Sequence, residues 1–180
     1  MAKAVDFFFS SYVTPWQQRY LAALADGIAH GAVITPRDPQ PDVPVTLQFT
    51  TAAVLPIERV AIYYTTDGSE PQGERGIATN GTALLAENGE LSRDDLSEQP
   101  IYHWHATLPG QPDGTLVRYR ADAWSLTNPT LHRYADDRDP IGAPPVHGRI
   151  FAYSVDRWQP PEWVRDAVIY HIFVDRFNAA

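Results

Sequence analysis

Two groups of side chains have types and spacing that could begin a metal site. His103 and His105 are two residues apart on an alternating segment, so both imidazoles would lie on one face of a strand. A structural metal site needs further ligands, and no third histidine or carboxylate stands at a suitable spacing. Asp136, Asp137 and Asp139 lack the turn glycine and the closing glutamate of a calcium loop. We therefore predict surface histidines and a solvated acidic loop, with no metal and no cofactor.

Three aromatic side chains could instead stack on sugar rings, because Trp and Tyr combine a flat apolar face with a polar edge. These candidates are Trp124, Trp104 and Tyr64. Trp104 shares one strand face with Tyr102 and Ala106, which is equally typical of a face that points into a core, so we favour a core position for it. Trp124 ends a strand before a loop, and both interpretations stay open for it. Two exposed, coplanar rings would favour a binding function.

Composition excludes several classes of function. The chain has 180 residues, no cysteine and a formal net charge of −8, from 14 basic and 22 acidic side chains. Disulfides and thiolate chemistry are therefore absent, and without a run of Lys or Arg we expect no nucleic-acid or membrane partner. No apolar run approaches the ~20 residues of a membrane span. Asp6 interrupts the apolar N-terminal stretch, so we predict no signal peptide and a cytoplasmic location.

The elements that must position these side chains begin with one helix. Thr14 can cap the helix, Pro15 suits its first turn, and Gln17 completes a capping box. Apolar side chains then follow at helical spacing, and Gly27 provides a stop. We predict a helix that begins at Pro15, with an apolar stripe that serves packing.

Alternating or β-branched runs predict strands downstream of the helix. These runs are residues 45–50, 59–66, 82–86, 101–108, 115–124 and 149–155. We expect loops at 73–81, 88–99 and 126–145, and a linker at 158–161. Short strands separated by Gly, Pro and Asp turns predict a mainly β chain that folds as an immunoglobulin-like antiparallel β-sandwich.

Residues 166–174 differ from the other strands because they are almost continuously apolar. Such a run is typical of a strand buried on both faces, as in a parallel sheet covered by helices. A parallel neighbour needs a crossover of about a dozen residues, and too few residues follow. We therefore expect this strand to begin a further sheet, and left alone it could pair with its copy in a second chain.

Three stretches resemble a known family. Residues 163–177 read WVRDAVIYHIFVDRF, which is similar to the first barrel strand of α-amylase-family glycoside hydrolases. The motif residues are Tyr170, Asp175, Arg176 and Phe177, and His171 stands where the family usually has Gln. Residues 63–71 and 104–119 resemble parts of the immunoglobulin-like sandwich domains that precede such barrels.

The resemblance implies three parts: an N-terminal helical extension (1–35), the sandwich (36–157), and a linker with the first strand of a truncated (β/α)₈ barrel (158–180). The family's catalytic Asp and Glu lie on later barrel strands, so we expect no catalytic residue in this chain. Ala179 stands where some members have a calcium ligand and cannot coordinate one. The expected function is that of an accessory domain of an enzyme acting on α-glucans, which braces the barrel or extends the substrate cleft. The alternative is a carbohydrate-binding module.

Overall fold

A computed structural model describes residues 15–31, 33–135, 148–158, 161–165 and 167–168. The helices among them are α1 (Pro15–Asp26) and α2 (Glu162–Arg165). The strands are β1 (Ile28–Ala29), β2 (Ile34–Thr35), β3 (Val45–Ala52), β4 (Arg59–Thr65), β5 (Gln72–Glu74), β6 (Ile77–Asn80), β7 (Thr82–Leu85), β8 (Glu87–Arg93), β9 (Pro100–Leu108), β10 (Thr115–Trp124), β11 (His132–Tyr134) and β12 (Phe151–Val155).

The strands form two antiparallel sheets, which confirms the predicted β-sandwich. Sheet A has the order β1–β3–β9–β8, with β2 also paired to β3. Sheet B has the order β11–β10–β4–β7, with β12 also paired to β10. A separate two-stranded hairpin, β5–β6, accompanies them. Strands that are neighbours in a sheet are mostly distant in sequence, so most of the sandwich depends on long-range pairing.

The core lies between the sheets and follows the two-residue period of each strand. Phe49 and Trp104 face inward from sheet A, while Val117 and Tyr119 face inward from sheet B, and all four are buried. The Trp104 indole N–H donates to the Thr51 hydroxyl at 2.9 Å, so its one polar group is satisfied within the core. The ring therefore acts in packing.

Helix α1 begins at Pro15, as its capping signals predict, and ends at Asp26, just before Gly27. Ala23 and Leu24 are buried in a small cluster with Ala29, Ala52 and Ile101. The helix thus packs at the border of sheet A, and its apolar stripe serves packing as expected. None of the described helices is long and apolar enough to cross a membrane.

Buried His30 connects the two sheets. Its Nδ1–H donates to the Gln48 carbonyl of sheet A at 2.7 Å, and its Nε2 accepts from the Tyr119 hydroxyl of sheet B at 2.7 Å. The imidazole also stacks on Phe49, with ring centroids 4.4 Å apart. Because burial disfavours the charged form, it lowers the pKa of His30 from 6.5 to about 4, although the bond to Gln48 acts in the opposite direction. The neutral imidazole is therefore the form that the core accommodates.

Four predicted irregular stretches contain elements that sequence periodicity misses. Residues 88–99 were expected as a loop but include β8, whose side chains are all exposed. The predicted loop at 73–81 contains most of the β5–β6 hairpin, and the loop at 126–145 includes β11. Residues 34–44, whose prolines predict an extended lead-in, begin with β2. These strands lack apolar alternation because none of them has a fully buried face: their side chains are exposed or only partly buried.

The residues of the C-terminal predictions lie largely outside the described part of the chain. Positions 166 and 169–177, which carry the apolar strand and Tyr170, Asp175, Arg176 and Phe177, belong to that undescribed part. So do Asp136, Asp137 and Asp139. Within the described part, Val168 is 77% exposed. The barrel-strand motif, the domain boundaries and self-association through 166–174 stay predictions.

His30 should make stability depend on pH. In the unfolded chain His30 takes up a proton near pH 6.5, whereas the folded imidazole stays neutral down to about pH 4. Acidification across this window therefore stabilises the unfolded state, and folding should lose about 3 kcal/mol from this group. Urea unfolding between pH 4 and 7 measures the loss.

The matched variants are His30→Phe and His105→Gln. His30→Phe should be less stable at pH 7, because it removes the buried hydrogen bonds of His30 to the Tyr119 hydroxyl and the Gln48 carbonyl. It should also show a flatter pH dependence between pH 4 and 6.5. His105→Gln, on the outer face of sheet A, should keep the slope of the native chain. An unchanged slope in His30→Phe would contradict the assignment.

Candidate functional site

The outer face of sheet B carries an unusual row of polar side chains. Along β10, Arg118, Arg120 and Asp122 alternate with the core residues and point outward. Register places Arg120 opposite Tyr63 of β4, and Asp122 opposite Tyr134 of β11. The β5–β6 hairpin lies over this face, where Ala78 packs on a cluster of Ala61, Tyr63 and Trp124. The hairpin converts part of a sheet face into a covered site.

The Asp122 carboxylate is fully buried under the hairpin and accepts three hydrogen bonds. The Tyr63 hydroxyl donates to Oδ1 at 2.9 Å. The Arg75 backbone N–H and the His132 Nε2–H donate to Oδ2 at 2.6 and 2.8 Å. A buried carboxylate is tolerated only with such partners. The network therefore ties three separate chain segments, β4, the hairpin turn and β11, to one acceptor on β10.

The hairpin turn supplies two of the polar contacts. Arg75 and Gly76 are its central residues, with φ of 49° and 82°, as in a type I′ turn. The Arg75 N–H reaches Asp122, and the Gly76 N–H donates to the Tyr63 hydroxyl at 2.6 Å. Burial, followed by the charge of Asp122, raises the pKa of Tyr63, so its hydroxyl keeps its proton as a donor. The turn is therefore held on sheet B by hydrogen bonds from its own backbone N–H groups.

Close approach explains a glycine in the first strand of the hairpin. A Cβ added at Gly73 would overlap the Tyr63 ring and approach the Ile77 carbonyl to 2.8 Å. The Gly73 carbonyl in turn accepts a hydrogen bond from the Tyr134 hydroxyl at 3.2 Å. The hairpin can therefore lie directly on sheet B only because this position has no side chain.

A cleft of about 410 Å³ opens beside this network, between the hairpin and β10–β11. Its polar side chains are Gln72, Glu74, Arg75, Thr79, Arg120 and Tyr134. Arg120 is 5% exposed, and burial lowers its pKa, while the Glu70 carboxylate acts in the opposite direction. Glu74 lies 3.7 Å from His132 Nδ1 and remains largely exposed. The cleft therefore presents both hydrogen-bond donors and acceptors on an anchored frame.

The three aromatic candidates do not form an exposed platform. Trp104 is 3% exposed and Trp124 6% exposed, so neither ring offers a face to solvent. Tyr64 is half-buried and packs against the core between the sheets. Only Trp124 lies near the cleft, where its ring supports the hairpin beneath Gly76. The three rings therefore do not provide the two exposed, coplanar faces that would favour stacking on a sugar.

The paired histidines have structural partners. His103 and His105 stack with centroids 6.4 Å apart. The ring nitrogens of His103 lie 2.9 Å from the Gln48 side-chain amide and 2.7 Å from the Ser92 hydroxyl. Within the described ranges, no group of three or more His, Asp or Glu side chains is arranged to hold a metal ion.

A second cleft of about 410 Å³ lies beside helix α1. Its carboxylate, Asp94, accepts a hydrogen bond from the Tyr20 hydroxyl at 2.8 Å and from the Ser97 hydroxyl at 2.7 Å. Burial would raise the pKa of Asp94, but these hydrogen bonds outweigh it and the pKa is lowered. Asp94 thus links α1 to the 94–97 turn. The polar groups that line this cleft therefore have a structural role.

Asp122→Asn tests whether the carboxylate holds the hairpin. The amide nitrogen would face at least one donor that the carboxylate now satisfies, so the variant should lose about 1–3 kcal/mol. Hydrogen exchange at residues 72–80 should accelerate more than exchange in β3 or β9. Asp113→Asn, which alters an exposed pair with Arg157, should change stability by less than about 0.5 kcal/mol. Unchanged exchange in the hairpin of Asp122→Asn would refute the anchoring role.

Comparison with known proteins gives distant structural likeness. No protein-family model matches the chain, and no curated protein matches it. The chain is similar to the cycloalternan-forming enzyme of Listeria monocytogenes, solved with a pentasaccharide substrate. It is equally similar to an uncharacterized protein of that organism, solved alone and with glucose, magnesium and calcium. Each match has a TM-score of 0.42 and 20% identity, and covers 68% of this chain and 9% of the other. Likeness of this extent supports no functional assignment.

Proposed function

We propose that the chain is an accessory β-sandwich domain of an α-amylase-family glycoside hydrolase that acts on α-glucans. The observation that carries the proposal is the order of two features. The sandwich ends at β12, and the barrel-strand pattern of residues 163–177 follows after a short connection. That order is the one in which the resembled family places an N-terminal sandwich and its catalytic barrel.

Exposed apolar side chains on the connecting segment support the same proposal. Trp158 is 68% exposed, Trp163 67% and Val168 77%. Burial of one such side chain stabilises a contact by about 1.5–3 kcal/mol, so three of them within eleven residues favour a packing partner. A barrel that follows the sandwich would provide that partner. The role of the domain is then to brace the barrel or to extend its substrate cleft.

The activity test uses the natural polypeptide. An antibody against this chain should isolate from the source organism a protein that degrades starch or maltoheptaose. The 180-residue chain alone should show no turnover, since no carboxylate in it matches the family's catalytic motifs. An isolated natural protein without activity on any α-glucan would contradict the proposal, as would turnover by the repurified chain.

The bracing role predicts a difference between two exposed apolar positions. In the natural protein, Trp163→Ala should lower stability by about 2 kcal/mol, because the indole would pack on the barrel. Val54→Ala, 80% exposed on the turn after β3, should change stability by less than about 0.5 kcal/mol. Thermal unfolding of both variants measures the difference, and equal small effects would argue against packing through Trp163.

A further inference from the structure

We propose that the cleft between the β5–β6 hairpin and the outer face of sheet B binds a neutral saccharide. This inference rests on the proposed function for the class of sugar, an α-linked glucan. The geometry and charge of the cleft themselves suit such a ligand. The cleft differs from the aromatic platform that the sequence suggested.

The cleft is preorganised. Its floor is sheet B, and its wall is a hairpin whose turn donates two backbone hydrogen bonds to buried acceptors, Asp122 and Tyr63. On the sheet side, the Tyr134 hydroxyl is bonded to the Gly73 carbonyl. A volume of about 410 Å³ falls within the range of small-molecule sites, about 300–1,000 Å³. Because the site is already ordered, binding of a ligand would cost little conformational entropy in the protein.

The chemistry of the lining matches hydroxyl groups. A sugar hydroxyl both donates and accepts, so it needs neighbours of both kinds. The partly exposed Arg75 guanidinium provides donors, the Glu74 carboxylate provides acceptors, and the Gln72 amide provides both. Ile77, 73% exposed, adds an apolar edge for the carbon skeleton of a ring. This combination of groups is suited to a polyhydroxylated ligand.

Charge balance argues against an anionic ligand. Three arginines, Arg75, Arg118 and Arg120, lie in or beside the cleft. Three carboxylates offset them: Glu70 lies 3.6 Å from Arg118, Glu74 lies 3.8 Å from Arg75, and Asp122 lies under the turn. A phosphate would meet no net positive charge, which such ligands require for strong binding. A neutral ligand leaves this balance undisturbed.

The expected affinity is modest. The aromatic rings near the cleft are committed to packing, since Trp124 is 6% exposed and the Tyr63 ring is fully buried. A saccharide would bind through hydroxyl contacts and one apolar edge, without a stacking platform. We therefore expect a Kd in the millimolar range, about −4 kcal/mol.

The test is an NMR titration of the complete chain with maltotriose. Resonances of residues 72–79, 118–122 and 134 should shift saturably, and those of β8 and α1 should not. Inorganic phosphate at the same concentrations should leave the cleft resonances unchanged. No saturable shift with maltotriose, shifts confined to other regions, or tighter binding of phosphate would each overturn the proposal.

Variants at exposed lining positions sharpen the result. Glu74→Ala and Gln72→Ala should each weaken maltotriose binding by about tenfold, the loss expected for one hydrogen bond to a charged or well-placed group. Glu90→Ala, an exposed carboxylate on β8 of the other sheet, is the matched control and should bind like the native chain. Unfolding curves establish that all three variants fold. Native affinity in both lining variants would place the ligand elsewhere.

Failure here is distinguishable from failure of the proposed function. If the natural protein degrades α-glucans while the chain does not bind maltotriose, only the saccharide cleft is wrong. If the chain binds maltotriose and the natural protein has no activity on α-glucans, the cleft stands and the assignment to a hydrolase is wrong.

Discussion

Burial of the Asp122 carboxylate is the constraint on which the outer layer of the molecule depends. A carboxylate without water must accept hydrogen bonds from the protein, and its donors come from β4, the hairpin turn and β11. Once those segments are tied to one acceptor, the hairpin lies against Tyr63 and Trp124, and the cleft acquires a fixed wall. Replacement of Asp122 would therefore free the whole β5–β6 hairpin from sheet B as well as remove individual hydrogen bonds.

His30 does in the core what Asp122 does on the outer face. Each is a buried polar group on one element that bonds to others, and each fixes a relative position that apolar packing alone leaves loosely specified. The contrast lies in the hydrogen-bonding roles. His30 donates through Nδ1–H and accepts through Nε2, and burial lowers its pKa, whereas Asp122 accepts from three donors. The interior of the sandwich is therefore sensitive to mild acid, and the hairpin depends on the acceptor oxygens of Asp122.

Local sequence signals predicted the helix and the longer strands. Pro15 and Gly27 bounded α1, alternation predicted β3, β9 and β10, and β-branched and aromatic residues predicted β4. The strand β8 was missed because all its side chains are exposed, and the hairpin because its turn, Arg75–Gly76, lacks the usual Asn-Gly or Asp-Gly signal. The sequence offered one indication of a site, the polar side chains that share a face of β10: Arg118, Arg120 and Asp122. Their partners come from β4, β5–β6 and β11, and only long-range pairing brings them together.

The position of the cleft restricts what it could contribute to a larger enzyme. Strand β12 pairs with the first half of β10, with Val155 opposite Thr115, so the chain leaves the sandwich at that end. Arg120 and Asp122 lie five to seven residues further along β10, which corresponds to about 20 Å at the rise of a β-strand. The cleft therefore lies along the half of β10 that is away from the end at which the chain leaves the sandwich.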